Sequence, residues 1–182
     1  MNFSQITIVL GLIALAASIY GLLNQEKFKQ WALSFPRSNV WGYFFMGVST
    51  GWFLYNFSSE NIADFERIKN LMLLLFLAVG VGAMLWVKDY LAVRGFSVFI
   101  ILLAHTIVEL SREVPTQWRL VMVAISYAYV LFGIICTIKP YLMRDLIHWA
   151  TNSSSRLKIL LIIRGAIGVL LFILGLTQFK GY

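Results

Sequence analysis

Six long apolar runs separated by short polar breaks dominate the chain: Ile6 to Leu23, Val40 to Phe57, Leu71 to Val87, Leu91 to Leu110, Trp118 to Ile138 and Ile159 to Thr177. Each lies near the roughly 17 to 25 residues that a helix needs to cross bilayer hydrocarbon. The runs are apolar on all sides and lack period-two alternation, so the pattern predicts transmembrane α-helices and not barrel strands. The second run is the most polar, with Ser49, Thr50 and Asn56, and the fourth carries Arg94 near its start. Met1 to Gln5 holds no Lys or Arg ahead of the first run. A secretory signal opens on a basic region, so the expectation here is a retained span.

Two connections carry a different pattern. In Glu26 to Phe35, a helical wheel gathers Phe28, Trp31, Ala32 and Phe35 on one side and Glu26, Lys27, Gln30 and Ser34 on the other, with Leu33 as the exception. In Tyr141 to Ala150, Leu142, Met143, Leu146, Ile147, Trp149 and Ala150 form a broad apolar face, opposite Arg144, Asp145 and His148. Both predict short amphipathic helices lying in the membrane interface. Pro36 stops the first and Pro140 precedes the second.

These segments suggest an internal repeat. Setting Trp31-Ala32 against Trp149-Ala150 brings Gly47 onto Gly165 without a gap, and Arg94-Gly95 repeats as Arg164-Gly165. The expected architecture is an all-α integral membrane protein: one domain over residues 1–182, with about six spans arranged as three like-oriented helical hairpins. Gly47-x-x-x-Gly51 in the second span and Gly165, Gly168 and Gly175 in the sixth are read as sites of close helix packing, within the chain or in self-association.

Composition agrees with this class. Hydrophobic residues make up 60% of 182 and charged residues 13%, and the mean hydropathy is +0.80. That leaves too little polar surface to coat a soluble globule. The formal net charge of +7 does not point to nucleic acid, because the basic residues scatter around span ends and form no dense patch. They report orientation and contacts to membrane lipid instead.

Nine of them, Lys27, Lys29, Arg37, Lys88, Arg94, Lys139, Arg144, Arg156 and Lys158, fall on one side of the expected spans, with Arg164 just inside the sixth span on that side. Arg67, Lys69, Arg112, Arg119 and Lys180 fall on the other, beside Glu60, Asp64, Glu66, Glu109 and Glu113. The positive-inside rule then places both termini outside the cytoplasm, in a topology that suits a bacterial inner membrane. Trp41, Tyr43, Trp86 and Tyr90 on the cytoplasmic side, and Trp52, Tyr55 and Trp118 on the outer side, form the aromatic belts expected at span ends.

Few residues offer chemistry. His105 and Glu109 lie four apart on one face of the fourth span, near its outer end. They read either as a proton-handling or substrate-polarising pair, or as an interfacial carboxylate beside a histidine bonded to a neighbouring helix. Arg94 and Arg164 sit at corresponding places and could bind an anionic group at the cytoplasmic rim. Alternatively, they pair with Asp89 or Asp145 and hold helices in register, which is the favoured expectation. His105 and His148 belong to opposite sides, so they cannot ligate one haem. The chain has no His-Glu-x-x-His, nucleophile elbow, phosphate loop or dinucleotide fingerprint, and Cys136 is the sole cysteine. Neither a metal nor a cofactor is expected. The sequence favours an accessory or scaffold subunit of a membrane complex, held by a protein partner or by self-association. A small-solute or lipid transporter is the alternative, and a membrane-embedded enzyme comes third for want of a paired nucleophile and base.

Overall fold

The computed structural model describes residues 2–60 and 63–181, without the side chains of residues 63–65. The Asp64 carboxylate and the terminal residues Met1 and Tyr182, which enter the orientation argument, lie outside the described residues. What is described is all-helical: α1 (Phe3–Leu23), α2 (Gln25–Ser34), α3 (Asn39–Ser59), α4 (Lys69–Trp86), α5 (Leu91–Ser111), α6 (Arg119–Ile138), α7 (Tyr141–Thr151) and α8 (Ser154–Thr177), with short 3-10 turns at Phe35–Arg37 and Ala63–Ile68.

Five helices, α1, α4, α5, α6 and α8, are long and apolar enough to cross a membrane. The second expected span, α3, is a continuous helix of 21 residues, but its hydroxyl and amide side chains lower its hydropathy. Three of its hydroxyls find carbonyl acceptors: Ser49 Oγ donates to Gly95 O at 3.1 Å, and Ser58 and Ser59 both donate to Tyr55 O. Satisfying them within the protein is what makes a polar helix tolerable in an apolar solvent. The two amphipathic segments are helical as expected, within a residue at each end. Pro36 sits in the 3-10 turn that closes α2, and Ser38 Oγ then accepts from Trp41 N to cap α3.

The packing divides into two compact units, residues 1–33, 103–130 and 144–182 in one and residues 34–102 and 131–143 in the other. Neither is a contiguous stretch, and α5 and α6 contribute to both.

In the first unit the main event is the pairing of α1 with α8. The helices run antiparallel, with Ser4 Oγ donating to Gly175 O at 2.8 Å at one end and Ser154 Oγ donating to Gln25 Oε1 at 2.9 Å just past the other. Ser4, Ile8, Gly11, Leu15, Ser18 and Gly21 meet Leu161, Gly165, Gly168, Phe172 and Gly175, each set spaced by three or four so that it forms a single stripe. A methyl group built on Gly11 would lie 2.8 Å from Phe172 N and 2.9 Å from Gly168 O. The two backbones are therefore in direct contact, which only small residues allow. At the Ser4 end a core of Phe3, Ile6, Ile107, Val114, Met122, Leu171, Leu174 and Phe179 closes the unit, with the Phe3 and Phe179 rings edge to face at 4.7 Å. Arg119 ties the α5–α6 turn by donating to Ser111 O and Val114 O at the end of α5.

The second unit is held by aromatic rings. Phe45 packs edge-on against Phe96 at 5.2 Å and Phe99 at 5.6 Å, and Phe76 of α4 packs against Phe53 and Phe57. A close backbone approach occurs at Gly95, where a methyl would lie 2.6 Å from Met46 N, and at Gly80 a methyl would run into the Thr50 side chain.

Two sequence expectations change. The strongest pairings, α1 with α8 in the first unit and α3 with α4 in the second, fall between the expected hairpins and not within them; the first follows from matching small-residue stripes at the two ends of the chain. Within the chain the Gly47-x-x-x-Gly51 motif is not a packing seam: a methyl on Gly47 meets only Met84 Cε at 3.6 Å, and one on Gly51 meets nothing within 4 Å. It is the opposite face of α3, with Gly42, Met46 and Ser49, that packs against α5.

Candidate functional site

His105 and Glu109 come together as their spacing requires. His105 Nδ1 lies 3.9 Å from Glu109 Oε2 on adjacent turns of α5. The unexpected feature is where they point. The neighbouring positions Ala104, Ile107 and Ser111 are buried, whereas the two side chains are 57% and 61% exposed on the outward face. The other helix-facing reading, a histidine bonded to a neighbouring helix, is not what the geometry gives: each is the other's polar partner among the described residues. By helix rise, His105 lies about 9 Å and Glu109 about 3 Å from the end of α5. Two ionisable groups thus share an outward patch reaching from the span end into its apolar part.

The arginine expectations are corrected. Arg94 is half-buried at the start of α5 with its Nε enclosed and without a hydrogen-bond partner, and it is not paired with Asp89, which stands exposed in the α4–α5 turn. Between the two residues the chain turns at Tyr90, whose φ is 55°. Arg164 is exposed on α8, and Asp145 is bound by its sequence neighbour Arg144 at 2.7 and 2.9 Å instead. Because α8 begins at Ser154, Arg164 lies about 15 Å along the helix. It forms no ion pair with a described carboxylate.

One feature was not singled out in the sequence. Leu22, Leu23, Asn24, Gln25, Glu26, Lys27 and Lys158 line an open depression of about 490 Å³ where α1 turns into α2 beside the start of α8. Lys158 is far from the others along the chain, and only the α1–α8 pairing brings it there. Nearby, Arg156 donates to Trp149 O at 2.7 Å and lies over the Trp149 ring at 4.5 Å, locking α7 to α8.

Among the described residues no three His, Cys, Asp or Glu side chains converge as a metal would need. No family model, curated protein or solved structure matches this chain.

Proposed function

We propose that this chain is a six-span accessory subunit of a membrane complex, with both termini outside the cytoplasm, α2 and α7 in the cytoplasmic interface, and a partner protein docked on the outward face of α5. One observation carries the reading: His105 and Glu109 lie 3.9 Å apart on an exposed face of a span, and neither side chain bonds to any other described residue. A charged side chain in the middle of a bilayer costs about 2.5–3.5 kcal/mol even by insertion scales, and less near the interface. A pair facing lipid at this depth is a standing penalty, which a polar partner helix removes. The same outward direction disfavours the transporter reading, since a permeation path needs such groups to converge inside a bundle. The span to be added to the five apolar helices is α3, second along the chain, three of whose hydroxyls are satisfied internally.

The test is co-purification in mild detergent from the native membrane. A stoichiometric partner should accompany the wild-type protein and be lost in the His105→Ala/Glu109→Gln variant. Solute flux in liposomes that needs both side chains, from protein purified without a partner, would overturn the proposal in favour of transport.

A further inference from the structure

The depression at the α1–α2 turn has a mixed lining that neither packing nor the proposed partner face uses. Lys27 and Lys158 flank it, both exposed, and neither forms an ion pair with a described residue. Glu26 is the one carboxylate in the lining, so its formal charge is +1. Asn24 and Gln25 add amide groups, and Ser154 fixes the Gln25 side chain by the 2.9 Å hydrogen bond already described. The depression also meets the first turn of α2, where an α-helix leaves its amides without internal acceptors. Leu22 and Leu23, exposed at the end of α1, supply an apolar edge on the span side. A cationic, amide-rich pocket with an apolar edge at a span end matches a phosphodiester headgroup whose acyl chains run along the helix. A free phosphate would leave the leucine edge unused.

We propose that this depression binds the headgroup of an anionic phospholipid. The lipid belongs to the cytoplasmic leaflet if the orientation proposed above holds, but binding itself does not depend on that orientation or on the partner. The test is native mass spectrometry of the full chain in detergent supplemented with equal amounts of phosphatidylglycerol and phosphatidylcholine. The wild-type protein should retain the anionic lipid roughly tenfold more than the zwitterionic one, as expected of two lysines near an anionic headgroup. Lys27→Gln/Lys158→Gln should bring the ratio close to one, with helicity by circular dichroism unchanged. Lys29→Gln/Lys180→Gln, which removes the same charge elsewhere, should leave the preference in place. Equal retention of the two lipids by the wild type, or an equal loss in the control pair, overturns the site. Inorganic phosphate that binds by calorimetry and displaces the lipid at the same concentration overturns the lipid as its occupant.

Discussion

Replacing Gly11 with leucine tests the central packing feature most directly. Even a methyl group there would lie 2.8 Å from Phe172 N and 2.9 Å from Gly168 O, about 0.6 Å or more inside ordinary carbon contact distance. Both obstacles are backbone atoms of a helix and cannot rotate aside, so α1 and α8 must separate. Overpacking of this kind costs about 1–3 kcal/mol. Leucine adds three further carbons at the same point, and separation also strains the Ser4–Gly175 hydrogen bond, worth about 0.6 kcal/mol in a membrane protein. Against this, replacing a helical glycine gains up to about 1 kcal/mol of helix propensity. The net expectation is a loss of about 1–2.5 kcal/mol. Gly51→Leu supplies the matched control: its methyl meets nothing within 4 Å, so only the propensity gain remains and stability should stay level or rise slightly. Sodium dodecyl sulfate titration of the two variants, followed by circular dichroism, gives the comparison. If Gly11→Leu proves as stable as Gly51→Leu, the backbone contact between α1 and α8 is wrong.

Two further outcomes are expected. Arg119→Met removes the donor to Ser111 O and Val114 O, a loss of about 1–3 kcal/mol if those carbonyls stay dry, and should speed hydrogen exchange across residues 111–119 without altering exchange in α3. Topology reporters fused after Asn24 and Asp89 should report from the cytoplasm and those after Glu60 and Glu113 from outside; a reporter after Glu60 that reads as cytoplasmic removes α3 from the set of spans.

The helices themselves were legible because spanning helices announce themselves by length and uniform apolarity, and α2 and α7 by the alternation of their wheels. Their partners were not. In a membrane every span is apolar all round, so the contrast that identifies the inner face of a soluble helix is missing. The spacing of Gly47 and Gly51 suggests a seam, yet within the chain it lies on an open face, while Ser4, Gly11 and Ser18 carry no recognisable motif, although with Gly165, Gly168 and Gly175 they form complementary stripes. For the candidate site, the spacing of His105 and Glu109 fixed their mutual distance but not their direction, which depends on what packs against Ala104 and Ile107. The pairing of Arg94 with Asp89 failed because sequence proximity says nothing of the turn at Tyr90. Lys158 could not be joined to Lys27 by any local pattern, since their proximity is a by-product of the long-range α1–α8 contact.

That contact also constrains how the protein is made. Ser4 and Gly175 are 171 residues apart, and at ribosomal rates of 5–20 residues per second the last helix follows the first by about 10–30 s. Throughout that interval the small-residue stripe of α1 has no native neighbour, while α3 and α4 can already pair. A nascent helix with a bare small-residue groove is a natural target for insertion factors, or for mispairing with another newly inserted helix. Completion of α8 is then the event that removes α1 from such company and fixes the first unit.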